Sequence, residues 1–243
     1  MFAVYKKEMM NYFITPAGYV FAAIFFAISG AVFALNMFMS QSTATGEYFI
    51  IMLFCFIVLI PLLTMKLFSE ERRSKTEQIL LTSPVSLVGM ITAKFLAAYT
   101  LFAATLIAST ALNLATLSRL AKATEDVITK LHMPTVIGSV VGILLVGGVF
   151  IAIGCFLSSL TESQSVAAVS SIGAFVLLFL FSLLPGVIGS GVVRTVIKWF
   201  SVFDRFYSFP SGVFDLTAVV YYISLMIVFL FLTVRVYEKR RWN

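Results

Sequence analysis

The chain has 243 residues, of which 60% are hydrophobic and only 12% charged, with 25 phenylalanines and a formal net charge of +6. A soluble domain carries roughly twice that charged fraction, so most of this surface must be solvated by lipid rather than water. Lipid leaves only helices or closed barrels as spanning structures. The apolar segments here are long and continuous, without period-two alternation, so the fold expected is an all-α integral membrane protein.

The first dozen residues do not span. At 100° per residue Phe2, Tyr5, Met9, Tyr12 and Phe13 fall within one arc of about 100°, with Lys7, Glu8 and Asn11 opposite. This pattern predicts an amphipathic helix over residues 1–15, lying in the membrane interface with its apolar face toward the acyl chains. It serves either as an elbow that transmits force into the first span or as a passive anchor. No h-region followed by a small-residue cleavage site is present, so no cleaved signal peptide is expected.

Six stretches lack Asp, Glu, Lys and Arg: Met9–Gly46, Tyr48–Met65, Phe95–Ser118, Met133–Thr161, Ser163–Val193 and Leu216–Val234. A spanning helix needs about 20 apolar residues. Trimmed at Gly, Pro and polar punctuation, the stretches predict six spans at about 17–39, 48–68, 86–114, 135–158, 165–185 and 216–237. Pro61 falls inside the second span and predicts a kink there. No linker is long enough for a soluble domain, so residues 1–243 read as one transmembrane domain. Cys55 and Cys155 lie inside apolar runs and read as buried thiols rather than a disulfide framework.

Orientation follows from the basic residues. With the N-terminus inside, the inner side receives Lys6, Lys7, Lys66, Arg72, Arg73, Lys75, Lys94, Arg235, Lys239, Arg240 and Arg241, eleven in all. The outer side receives six: Arg119, Lys122, Lys130, Arg194, Lys198 and Arg205. Both termini are therefore expected in the cytoplasm. Basic residues beside apolar spans fit anionic head groups, not nucleic acid.

The stretch from Leu67 to Pro84 joins spans two and three on the inner side. It packs Glu70, Glu71, Arg72, Arg73, Lys75 and Glu77 into eight residues, followed by the apolar patch Ile79, Leu80 and Leu81. Glu and Arg favour helix, and Glu71–Lys75 is an i,i+4 pair in the better order. The expectation is a short charged helix with an apolar foot, stopped by Pro84. It is either a docking element for a cytosolic partner or a solvated connector.

Lys94 lies roughly 12 Å into the third span at 1.5 Å per residue. A charge at that depth is a functional-site candidate, although snorkelling to the interface is the cheaper explanation. Between spans four and five, Glu162 is the only charge of a short inner loop, a second partner contact or a polar turn. His132 stands alone in an outer loop, which disfavours a metal site. Residues 185–215 are too apolar for a solvated loop and too interrupted to span. Interfacial or re-entrant helices are expected there, acting as an external gate or as a lid on the head groups. No P-loop, H-E-x-x-H or G-x-S-x-G motif occurs, so the chain is not read as an enzyme and its energy must come from another chain. A membrane scaffold that only anchors a cytosolic complex is the rival reading. An intramembrane lipid enzyme would require a polar constellation that the sequence does not display.

Three patches resemble the permease subunits of ABC-2 type exporters, and more narrowly the gliding-motility ABC permease group. They are EMMNYFITPAGYVF at Glu8–Phe21, FSEERRSKTEQILLTSPV at Phe68–Val85, and Phe203-Asp204-Arg205-Phe206 with the closing Glu238–Trp242. The resemblance implies that the helix between spans two and three is a coupling helix seated in a cleft of an ATPase. Glu70, Glu71, Arg72, Arg73, Lys75 and Glu77 would then be contact residues, with Glu162 as a second contact. It also implies two permeases, identical or homologous, and two cytosolic ATPase subunits that hold ATP and Mg, in a plasma (inner) membrane. A further membrane protein with a large extracytoplasmic domain is a plausible partner. No cofactor is expected on this chain.

Overall fold

A computed structural model describes residues 1–40, 45–76, 86–123, 133–187, 191–212 and 214–242. The regular secondary structure of the described residues is all helix, with no strand. Each of the six apolar stretches contributes one long helix among the described residues. Six helices are long and apolar enough to cross a membrane: Pro16–Asn36, Gly46–Arg73, Leu87–Arg119, Met133–Leu160, Gln164–Gly186 and Leu216–Arg241.

In chain order, α1 (Phe2–Ile14) precedes the first long helix, α2 (Pro16–Ser40). Thr15 between them is extended (φ −84°, ψ 151°), and Pro16 begins α2, where its missing N–H costs no helical bond. Gly18 lets the two helices turn closely, because a Cβ there would lie 2.3 Å from the Tyr12 carbonyl oxygen. Then come α3 (Thr45–Thr64) and the five-residue α4 (Ser69–Arg73), separated by a turn at residues 65–68. Pro61 stands in the last turn of α3, three residues before the helix ends. The remaining long helices are α5 (Leu87–Ala123), α6 (Met133–Leu160), α7 (Gln164–Val187) and α10 (Leu216–Trp242). Two short helices, α8 (Val192–Phe200) and α9 (Val202–Phe206), occupy the segment before α10.

Helix α6 is the centre of the bundle and packs on α3, α5, α7 and α10. In lipid there is little hydrophobic drive between helices, so association depends on close packing and small interfacial residues. The small residues of α6 supply it: Ser139, Gly142, Gly147, Gly148, Gly154, Ser158 and Ser159 are all buried. A Cβ on Gly147 would meet the Phe102 ring of α5 at 2.3 Å, and one on Gly154 would meet Thr64 Oγ1 of α3 at 2.3 Å. Aromatic rings fill the rest. Phe25, Phe56 and Phe102 join α2, α3 and α5 with centroids 5.2–6.3 Å apart, and Phe150 stacks on Phe175 of α7 at 4.4 Å. Cys55 and Cys155 are free thiols in α3 and α6. By contrast α2, α7 and α10 leave most of their apolar surface outward, including Leu177, Leu180, Ile227 and Phe231.

The contact at Gly154 yields a direct test. Gly154→Val places two methyl groups against Thr64, and overpacking of this kind costs about 1–3 kcal/mol. Thermal melting of the purified protein in detergent should fall accordingly, whereas Gly173→Ala, at a position with open space around it, should leave the melting temperature within error.

Candidate functional site

Among the described residues, the end of the bundle where both termini lie carries the ion pairs. Its centre is Lys94. The side chain leaves α5 two turns from the start of that helix and is only 1% exposed. An ammonium so placed must satisfy its three donors within the protein. Three oxygens stand around it: Glu71 Oε1 at 2.8 Å, Glu8 Oε1 at 2.9 Å and the Leu67 carbonyl at 3.0 Å. The Phe68 ring closes another side, with its centroid 5.3 Å from Nζ. Lys94 therefore does not snorkel. It is turned inward and held by α1, by α4 and by the turn before α4.

The two carboxylates are themselves nearly covered, at 10% and 13% side-chain exposure. Lys7 approaches from the solvent side, 3.3 Å from Glu71 and 3.8 Å from Glu8. Two lysines thus face two carboxylates, and the cluster is neutral as a unit. That balance is what permits burial, because an isolated charge at this depth would cost several kcal/mol.

Helix α1 reaches the cluster by packing on α5 and α2. Its apolar arc divides. Tyr5, Met9 and Tyr12 turn toward the bundle, where the Tyr5 hydroxyl meets Thr100 Oγ1 at 3.2 Å and Tyr12 donates to the Leu63 carbonyl at 3.4 Å. Phe2 and Phe13 stay exposed at the ends, together with Met10 and Ile14. Glu8, on the polar side of the helical wheel, is buried. Desolvation of the Tyr12 hydroxyl, reinforced by nearby Cys155 and Glu8, raises its pKa well above the ordinary 10.0, which keeps it a donor.

In α4 neighbouring charges point opposite ways. Glu71 faces Lys94, while Arg72 reaches the connection between α6 and α7, donating to the Leu160 carbonyl at 2.9 Å and pairing with Glu162 at 3.0 Å. Arg240 of α10 donates to the Ser159 carbonyl at 2.5 Å. The last turn of α6 leaves carbonyls without intrahelical donors, and two guanidinium groups supply them. Ser158 completes the joint by accepting from the Phe68 and Ser69 amides, each at 3.3 Å. Glu70, Arg73 and Lys75 are exposed. The helix stops at Arg73, and Lys75 takes φ +58° in the turn that follows, so the anticipated Glu71–Lys75 pair gives way to Glu71–Lys94. Glu77, Ile79, Leu80, Leu81, Pro84 and His132 lie outside the described residues.

At the opposite end, α8 and α9 are fastened to the first turns of α10. Tyr221 donates to the Phe200 carbonyl at 2.6 Å and Tyr222 to the Val202 carbonyl at 2.7 Å. Arg205 donates to the Trp199 carbonyl and lies 4.4 Å from the Tyr221 ring. Sequence reasoning also missed a buried polar knot in the same half. Ser29 of α2 hydrogen-bonds Tyr48 of α3 at 2.7 Å and also Ser109 of α5, and Asn113 donates to Ser29 and Tyr48 at 3.1 and 3.2 Å. These are neutral groups that satisfy one another. Among the described residues no group of three or more His, Cys, Asp or Glu could hold a metal ion.

The sequence matches the family described as ABC-2 family transporter protein across residues 2–242. The chain belongs to that family. It is a multi-pass membrane permease of an ABC transporter, and membership implies an ABC ATPase as its partner. Such permeases are the transport component and typically do not themselves catalyse. No curated protein matches the sequence.

The two ion-pair groups at the terminal end should differ sharply in what they contribute. Lys94→Met leaves two buried carboxylates facing each other, and stability should fall by about 3–5 kcal/mol, seen as a large drop in melting temperature in detergent. Glu162→Gln removes a pair whose acid is 65% exposed and should cost less than about 1 kcal/mol. Equal effects from the two substitutions would contradict this account of the cluster.

Proposed function

We propose that this chain is the membrane-spanning subunit of an ATP-driven ABC exporter of the gliding-motility type. It works as a pair of permease subunits, with the translocation path between them, on two cytosolic ATPase subunits that bind ATP and Mg. The bias of basic residues toward the terminal end supports placing that end in the cytoplasm, in a plasma membrane. Helix α1 then lies as an elbow in the inner interface, and α4 is the coupling helix.

The observation that carries this reading is the disposition of charges on α4. Glu70, Arg73 and Lys75 are exposed, while the two intervening charges are tied into the permease. A plain connector has no need for inward-facing ion pairs to two separate groups of helices. A docking helix does, because it must present one face rigidly and pass load through the other. Glu162, beside Arg72, forms the smaller second contact. ATP binding closes the ATPase pair, α4 and α1 move with it, and the interface between permeases opens outward with α8 and α9 as the gate. The mechanical parts thus lie on this chain and the chemical step on its partner.

Purification from the native membrane in mild detergent tests the reading. The wild-type protein should retain a stoichiometric P-loop ATPase. The triple variant Glu70→Lys, Arg73→Glu, Lys75→Glu should insert and purify normally but lose most of the ATPase. A wild-type preparation without ATPase, under conditions that preserve other ABC complexes, would favour a non-transporting anchor instead.

A further inference from the structure

Glu71 and Arg72 occupy consecutive positions on α4, yet their partners belong to different groups of helices. Glu71 leads through Lys94 to α5 and through the shared ammonium to Glu8 of α1. Arg72 leads to Leu160 and Glu162 at the junction of α6 and α7. The two connections differ in kind. In the Arg72–Glu162 pair the acid is 65% exposed and lies within reach of counterions, whose screening length at physiological salt is about 8 Å. The Lys94 cluster is covered and has an ammonium held by three oxygens from three segments. Residues 65–68, between α3 and α4, form a turn rather than helix. Backbone continuity alone therefore does not make α4 rigid with the span that precedes it.

We propose that Lys94 is the positioning residue that makes α1, α4 and α5 move as one body. On this assignment a displacement imposed on α4 reaches the elbow and the third span through the Glu71–Lys94–Glu8 triad. The Arg72 contact, with the bonds from the Phe68 and Ser69 amides to Ser158, joins the same helix to the end of α6. The proposal rests on the reading of α4 as the coupling helix. It assigns a role inside the permease to Glu71, while Glu70, Arg73 and Lys75 are left to face the partner. Lys94 is buried within the permease. It acts through the two carboxylates.

The test uses the permease purified together with its ATPase and compares backbone hydrogen exchange before and after trapping with ATP and vanadate. In the wild type, trapping should change exchange in α1, α4 and the first turns of α5 together. In Lys94→Met the ATPase should still co-purify and hydrolyse ATP, but the change should be lost from α1 and the first turns of α5. Lys94→Arg, which can hold both carboxylates, should restore the joint response. The triple variant Glu8→Gln, Lys94→Met, Glu71→Gln removes the unpaired charges and should regain much of the thermal stability lost in Lys94→Met. It should not regain the response of α1 and α5. If that response returns along with stability, Lys94 has a merely structural role and the proposal is overturned. A wild-type preparation that lacks ATPase overturns the docking reading and this inference together. An ATPase-bound Lys94→Met complex that responds as the wild type does overturns this inference alone.

Discussion

The organisation of this protein depends on the requirement that a cation placed two turns inside a spanning helix be neutralised by groups from other helices. Lys94 meets that requirement with Glu8 and Glu71, drawn from α1 and from α4. Other features of the terminal end follow. Helix α1 cannot float freely on the bilayer, because its carboxylate is committed to the bundle. Helix α4 cannot hang as a loose connector, because one of its carboxylates is committed too. The neutrality of the four-charge group with Lys7 explains how so polar an assembly sits against the buried Phe68 ring.

The rest of the bundle is built on a different principle. Around α6 the helices approach through glycine and serine, and bulky rings from α3, α5 and α7 fill the remaining space. No ion pair is involved until the last turn of α6, where Arg72 and Arg240 supply donors to its terminal carbonyls. The polar knot of Ser29, Tyr48, Ser109 and Asn113 pins α2, α3 and α5 in the opposite half. A ring of peripheral helices is left whose outward side chains suit lipid or a second subunit.

Much of the architecture was legible from hydropathy alone, because a stretch of about 20 uncharged apolar residues has few other fates. The charged segment at Glu70–Lys75 was legible as a distinct element for the same reason, since polar residues there interrupt an otherwise apolar chain. What escaped was partnership. The helical wheel of α1 put Glu8 on a solvated face, because a periodicity argument knows only one helix at a time. Lys94 looked able to snorkel because its partners stand far away in the chain, 86 residues in the case of Glu8. One signal did exist. The chain holds only 11 acidic residues, so a lysine inside a span had few possible counterions, and four of them, Glu8, Glu70, Glu71 and Glu77, lie in the segments that flank the first and second spans on the same side. The knot around Ser29 had no comparable signal, since serine and tyrosine are unremarkable in any membrane helix.

The position of these residues along the chain also bears on biosynthesis. Membrane proteins emerge and insert from the N-terminus, so Glu8 and Glu71 have both left the ribosome before Lys94 does. When the third span enters the bilayer, its one buried cation finds counterions already waiting. Arg72 is in the reverse situation: Leu160 and Glu162 are made long after it. An exposed guanidinium can wait in water without cost, whereas a lysine bound for the interior cannot. The order in which the charges are written into the chain matches the order in which they must be neutralised.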